Sequence, residues 1–569
     1  MPEPNDSPYL QEAMSNRRRF LNVPHSLSTR LWLISGQILL CAAALVLSAR
    51  GITSEGTVSL QGDMPRYLMN GVFFLDLIHD APIADPLGYT YRYYARYPAL
   101  SLGHHPILLA IAEVPFYLLF GVSVFAGRMT ILFFVLIGVL AWFHLCRSLY
   151  DDQVAFFASL LLVTTPYIVA YSQIVLSEIP TLSLALVSVY WFNRYCDTAR
   201  PRDALLSALA FVLSAFSKQL AVLFLPIFVI YFLLRRGIRA LLNRNVALAA
   251  IATGVFLLPL VALTLKLSPS NVAWVVRKSL SMRASLPNIS YYAMALWNSQ
   301  LTLPVLFLSV VGTVLSVLRR DQRIMLFVLW IAGFYVQLTA GGVHNARYAI
   351  YWIPPFCLLA TVGWVFLRTR PAKVLAASAL VAIAAYQCTV AWRAEPAYAE
   401  AYEEAAKYVI DHQAGDSVLF SAAIDSGFFT FFVRKHDRDR EMIVLLADKL
   451  LATSYLWFIV AEHAKTREEI YEKLDSYGVG YVVVERTEYT ARPLALLIEE
   501  LHTENFALRK RIPIRSNSKR LEGVDLDVYE YLGRKPAKHD QQLVLGVPLM
   551  QGQVVVRFGD LLEDRDQQR

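Results

Sequence analysis

Asp63 opens the segment Asp63-Met64-Pro65-Arg66-Tyr67, a short way past the first long apolar run of the chain. A carboxylate just beyond a membrane exit, with Tyr67 four residues on, is the kind of group that takes a proton from an acceptor at a lipid surface. Other ionisable residues stand at the ends of apolar runs in the same way: His104 and His105, Arg128, Glu178, Lys218 and Arg347. They share a site only if the runs between them cross a membrane and bring these ends to one face.

The composition fits that arrangement. Of 569 residues, 56% are hydrophobic and 17% charged, a balance of a polytopic membrane protein. The formal charge of +8 does not point to nucleic acid, because Lys and Arg gather in short loops between apolar runs. Five cysteines, Cys41, Cys146, Cys196, Cys357 and Cys388, lie in or beside apolar runs without C-x-x-C spacing, which argues against a disulfide framework or a cysteine metal site. Arg17, Arg18 and Arg19 precede the first run with no small-residue cleavage site behind it, the pattern of an uncleaved signal anchor.

A spanning helix needs roughly 20 apolar residues. Eleven spans are predicted, at 31–49, 128–146, 154–170, 179–193, 204–217, 219–234, 246–265, 301–318, 324–338, 348–367 and 374–392. With residues 1–30 cytoplasmic, alternate loops carry the positive excess: Arg147; Arg194, Arg200 and Arg202; Arg235, Arg236, Arg239 and Arg244; Arg319, Arg320 and Arg323; Arg368, Arg370 and Lys373. The opposite loops carry Asp63, His104, Glu178, Lys218 and Arg347, which places the unusual charges outside. Residues 106–120, interrupted by Glu113 and Pro115, are read as an interfacial helix within the outer loop 51–127, because a span there would invert every later loop. The runs either side of Lys218 are short, about 21 to 24 Å by helical rise.

Past Arg393 the composition changes to that of a soluble α/β domain, 393–535, on the outer side. Helices are predicted at 395–411, 466–476 and 492–502, strands at 417–420, 428–433, 443–446 and 480–485, and residues 450–460 are read as core. A polar tail, 536–569, is expected to be β-like around 553–558 and frayed beyond.

Several features in fixed order resemble the glycosyltransferases that use polyprenyl-phosphate sugars, the group of protein O-mannosyltransferases and lipid A aminoarabinose transferases. They are Asp63 with Arg66-Tyr67; His105-Pro106 before an apolar stretch to Phe120-Gly121; Ala126-Gly127-Arg128; Ser177-Glu178; Ser217-Lys218; and Arg347-Tyr348 followed by Pro354-Pro355. The resemblance covers about residues 31–367 and implies a helical C-type glycosyltransferase fold, a polyprenyl-phosphate sugar donor in membrane lipid, and a protein, lipid or glycan acceptor. It implies Asp63 as general base and Lys218, Arg347, Arg128 and Tyr348 at the donor phosphate, with Glu178, Tyr67, His104 and His105 supporting. Where that group often shows an Asp-Glu pair this chain has Asp63-Met64, and where it shows Pro-Pro this chain has His105-Pro106. The missing second acid leaves a divalent cation open, while a base needs only one carboxylate. Transfer to a hydroxyl or amine by one displacement inverts the sugar.

Each residue has a plainer role beside the chemical one. Asp63 is placed to cap the helix that Pro65 begins, Lys218 to snorkel from a turn, Arg128 to anchor a span, and Glu178 to meet a helix dipole. For Glu178 the sequence leaves donor binding, cation support and orientation of a basic residue equally open. Tyr89, Tyr91, Tyr93, Tyr94 and Tyr97 read as an interfacial aromatic belt ahead of a sugar platform. The basic loop 266–300 reads as a lid over the phosphate or a contact with anionic lipid. The rival from another class is a transporter or flippase, whose charges line a path at mid-bilayer.

Overall fold

The computed structural model describes residues 27–54, 63–102, 104–282, 286–396, 398–422, 427–455, 458–487, 491–547 and 552–568. Every predicted span falls on helix. Among the described residues, seven helices are long and apolar enough to cross a membrane, and an eighth if Asp152–Thr164 and Pro166–Ser172, bent by 62°, form one broken span. The break is local chemistry: Pro166 holds Thr165 out of the helical region, at φ −59° and ψ 119°.

Burial separates an inner bundle from an outer ring. The most apolar stretch of Ala346–Phe366 is 83% buried, whereas that of Arg244–Leu267 is 6% buried and presents its side chains outward, as a lipid-facing helix must. With no hydrophobic drive between helices in lipid, close approach comes from small and hydroxyl residues. Glu178–Thr198 packs between Val124–Leu149 and Pro201–Ser217 in this way. Ser214 donates to the Thr181 carbonyl and Ser188 to that of Ser207, both at 2.9 Å. Gly138 faces the Ser183 side chain, and Gly312 lies against the Leu359 carbonyl of the neighbouring helix.

Two helices of the outer loop matter for the site. Met64–Asp80 begins at Asp63, and Leu108–Phe120 lies along it and along Val124–Leu149. The second has 13 residues, about 20 Å, too short for a hydrocarbon core of about 30 Å.

Beyond Ala394 a five-stranded sheet forms, in spatial order Ile443–Leu446, Ser417–Ser421, Val479–Glu485, Asp525–Tyr531, Phe506–Pro513. The first three strands are parallel and the last two antiparallel. The helices Arg467–Ser476 and Arg492–Glu500 fall where expected. The segment 428–433, predicted as strand, is instead part of the helix Gly427–His436. Its Phe and Val content suits a strand, but every residue from Gly427 to Arg434 is buried, so no polar face marks the helical period. The helix predicted from 395 starts only at Tyr402, because Ala399–Glu400 pairs with Arg515–Ser516. Residues 450–453 are core, as expected, and lead into the hairpin Ala452–Tyr455 with Phe458–Glu462.

The tail also folds back. Gln542–Val547 pairs with Gly552–Arg557, and where fraying was expected Phe558–Gln568 is helical with Phe558, Leu561 and Leu562 buried. Three apolar side chains in the first five residues of that helix suffice to dock it.

The tyrosines of the outer loop are not a membrane belt. Tyr93 and Tyr97 are buried, and the Pro86–Arg96 helix that carries most of the group packs on the C-terminal domain. The Tyr93 hydroxyl donates to Asp76 (2.6 Å) and that of Tyr89 to Asp80 (2.8 Å), while Lys449 donates to Tyr94 (2.8 Å). The same two carboxylates receive arginines from the C-terminal domain. Arg434 grips Asp76 through two nitrogens, at 2.6 and 2.9 Å, and Arg440 grips Asp80. Arg96 in turn donates to the carbonyls of Arg440 and Leu561. The C-terminal domain is thus clamped to the far end of the helix that Asp63 begins.

Candidate functional site

Asp63 holds the N-cap position of Met64–Asp80, yet its side chain caps nothing. Pro65 in the first turn has no N–H to satisfy, which lowers the demand for a cap. The carboxylate turns instead to Arg347, whose Nη1 donates to Oδ2 at 2.7 Å. Its other oxygen lies 3.7 Å from His105 Nε2, beyond hydrogen-bond range.

His105 is placed by its loop and by Tyr67. Asn70 and Ser101 exchange two hydrogen bonds, at 3.0 and 3.2 Å, which pins the loop to the Met64–Asp80 helix. The His105 ring stacks on that of Tyr67, centroids 4.2 Å apart, and the Tyr67 hydroxyl shares a 2.7 Å hydrogen bond with Ser177. The next residue, Glu178, starts the helix Glu178–Thr198 with its side chain 1% exposed. Its Oε1 accepts from Lys218 Nζ and lies 3.6 Å from Arg347 Nε, while Oε2 has no partner among the described residues.

Lys218 sits where Pro201–Ser217 ends. Its extended backbone, φ −156° and ψ 131°, separates that helix from the 3-10 turn Gln219–Leu223 and turns the side chain to Glu178. Arg347 lies in the 3-10 helix Ala346–Trp352, capped by Asn345. The loop ahead of it is braced by the segment read as a lid. Gln300 donates to the Ala346 carbonyl at 2.7 Å, Tyr292 to that of Val343, and Asn288 meets His344 at 3.0 Å. Tyr348 lies under both cations, with Lys218 Nζ 5.2 Å and Arg347 Cζ 5.4 Å from its ring centroid.

Asp63, Tyr67, His105, Glu178, Lys218, Arg347 and Tyr348 therefore form one connected group. His104 is at its edge, with its ring 4.5 Å from that of His105 and its carbonyl accepting from Gln219. Arg128 lies outside it, donating to the carbonyls of Gly51 and Ser54 after the first span, an anchoring geometry. Asn70 and Gln300 are bracing residues that sequence reasoning passed over, and Ser177 was read only as part of Ser177-Glu178, without a bracing role. Asn70 carried a signal, as a lone carboxamide in an apolar stretch.

The site carries two carboxylates and two cations, so its resting charges balance. Burial pushes the Asp63 carboxyl up, but His105 and Arg347 more than reverse this and hold it well below the usual carboxylate range. Burial drives His104 down to about 3, and it lowers His105 against the pull of Asp63. Burial, with Glu178 and Asp63 nearby, raises the Tyr67 phenol. Both carboxylates are already bound to cations, and among the described residues no group of three His, Cys, Asp or Glu side chains converges. A small crevice beside the group, lined by His105, Phe216, Gln219, Leu260 and Leu263, leads toward the lipid-facing helix Arg244–Leu267.

This architecture is that of the C-type glycosyltransferases. The chain aligns with the ArnT structure from Cupriavidus metallidurans bound to undecaprenyl phosphate at 12% identity and TM-score 0.57, over 86% of this chain and 97% of that one. It aligns with the apo oligosaccharyltransferase of Archaeoglobus fulgidus at 13% identity and TM-score 0.53, over 81% and 70%. The mycobacterial arabinofuranosyltransferase AftD matches at 14% identity and TM-score 0.50, over 90% of this chain and 40% of that one. Residues 104–264 match the family model described as dolichyl-phosphate-mannose-protein mannosyltransferase, and no curated protein matches the sequence. The chain is a membrane protein with the fold of the C-type glycosyltransferases.

Proposed function

We propose that the chain moves a monosaccharide from a polyprenyl-phosphate donor to a hydroxyl or amine of a protein, lipid or envelope glycan, at the outer face of the cell membrane. The observation that carries this reading is one buried group in which Arg347 donates to Asp63 and Lys218 to Glu178, with Glu178 Oε1 3.6 Å from Arg347 Nε, so that a carboxylate base and two cations share one site. Asp63 takes the acceptor proton; the acceptor atom attacks the anomeric carbon; the carbon–oxygen bond to phosphate breaks, and its electron pair leaves on the phosphate. Arg347, with its planar fork, and Lys218 meet the charge that develops there. A single displacement inverts the sugar, and no strong acid is needed because the lipid phosphate is a stable anion.

The basic loops support an orientation with the N-terminus in the cytoplasm and the site outside. The clamp from Asp76 and Asp80 to Arg434 and Arg440 then carries the C-terminal domain to the outer side as well. A transporter or flippase needs its charges along a path at mid-span. Here Asp63, Glu178, Lys218 and Arg347 each stand at or beside a helix terminus.

The test is transfer of a labelled sugar from synthetic polyprenyl-phosphate donors in membranes, comparing wild type with Asp63→Asn and Lys218→Ala. Loss in both variants is expected. Full transfer by both defeats the assignment, and a wild type inactive with every donor turns the case toward transport.

A further inference from the structure

In the resting site the proposed base is paired with a cation. Asp63 Oδ2 is occupied by Arg347 Nη1 at 2.7 Å, and Arg347 is the residue the donor phosphate needs. The guanidinium has a second hold: its Nε lies 3.6 Å from Glu178 Oε1, which also binds Lys218, while Glu178 Oε2 is an unpartnered acceptor among the described residues. Arg347 can therefore swing its Nη atoms to a phosphate while Glu178 keeps both cations in place. Asp63 has no such substitute. Its neighbours are Arg66 and Tyr67 on its own helix, His104 and His105 on the adjoining loop, Glu178, and Arg347. Of these only Arg347 donates a hydrogen bond to it in the structure.

Resting on the proposed function, we infer that donor phosphate unlocks Asp63 by taking Arg347 from it, so that the donor binds first and acceptor binding follows. In the locked state Oδ2 accepts from Arg347, and a carboxylate paired with a guanidinium is a weaker base for an acceptor hydroxyl. After the exchange Arg347 and Lys218 face phosphate, and the freed carboxylate, next to the phosphate's negative charge, holds a proton more tightly. The proton then passes from the acceptor to Asp63 as the acceptor–sugar bond forms and the sugar–phosphate bond breaks. Glu178 acts in this scheme as a positioning residue.

The experiment is infrared difference spectroscopy of the full chain in lipid nanodiscs with carbon-13-labelled aspartate, titrated with acid with and without undecaprenyl phosphate. Asp63→Asn identifies the Asp63 band, and phosphorus NMR of the same samples reports binding. Since a nearby opposite charge lowers a carboxyl by about 1–3 units, removing Arg347 should move protonation of Asp63 to a pH higher by about 1–3 units once the ligand is bound. In Arg347→Gln the band should already titrate at the higher pH and shift no further. Bound undecaprenyl phosphate with an unmoved Asp63 band overturns the unlocking and leaves the transferase reading standing. Absence of binding overturns the phosphate site itself.

Discussion

Removing Arg434 tests whether the C-terminal domain is fastened to the helix that bears Asp63. The Asp76 side chain is 6% exposed and that of Arg434 10%, and Tyr93 is the other side-chain donor to this carboxylate. Arg434→Ala leaves a buried carboxylate with one neutral donor, a loss of about 3–5 kcal/mol for a broken buried pair. At about 1.4 kcal/mol per tenfold, amide exchange in the helix Gly427–His436 should speed up by about two to four orders of magnitude if that helix opens with the clamp. Hydrogen-exchange mass spectrometry of the detergent-solubilised chain reads this directly. Asp76→Leu with Arg434→Met removes both charges and should recover most of the protection, because an apolar pair escapes the desolvation cost. Unchanged exchange in Arg434→Ala, or a double variant worse than the single, refutes the clamp.

Other expectations follow from single contacts. Tyr93→Phe removes one hydrogen bond to a charged group and should cost about 1.5–3 kcal/mol in thermal unfolding, less than Arg434→Ala. Gly312→Ala would put a Cβ 1.9 Å from the Leu359 carbonyl, so the helices must part; a loss of about 1–3 kcal/mol is expected, and an unchanged melting temperature contradicts the close packing. Lys218→Ala should weaken undecaprenyl phosphate binding by about 10- to 150-fold, the worth of one charge-assisted hydrogen bond, read by titration in nanodiscs. Hydrogen bonds from His436 and Lys435, against the upward push of burial, bring Glu403 down to about 2 from an ordinary 4.5. A carboxyl depressed on folding stabilises above its unfolded value, so that contribution is present above about pH 4.5 and fades toward pH 2. Glu403→Gln should flatten the acid side of the melting profile across that window.

Much of the membrane part was legible because lipid imposes a strict rule on length and polarity. The position of Asp63 before Pro65, and of Lys218 between two apolar runs, followed from the same rule. Glu178, Lys218 and Arg347 came together as expected from the face they share. What the sequence hid were contacts set by the tertiary structure. The tyrosines from Tyr89 to Tyr97 have a belt's composition, and only a second domain placed over them shows that their hydroxyls meet Asp76, Asp80 and Lys449. Gly427–His436 hid its period by being buried all round. The strands Phe506–Pro513 and Asp525–Tyr531 went unread because neither alternates: Arg509, Lys510 and Arg511 stand in a row in the first, which is bulged between Leu508 and Lys510, and Leu526 to Tyr529 of the second are all buried. Arg128 had a charge and position suited to a phosphate, and only its partners Gly51 and Ser54 separate anchoring from binding.

The central claim is that Asp63 takes the acceptor proton while Arg347 and Lys218 hold the departing phosphate. Its most direct test is the single-turnover rate of sugar transfer by Asp63→Asn from a donor that the wild type uses. A general base contributes about 10²–10⁴-fold, so the variant should fall by that factor while still binding undecaprenyl phosphate. A variant that transfers within about threefold of the wild-type rate contradicts the account.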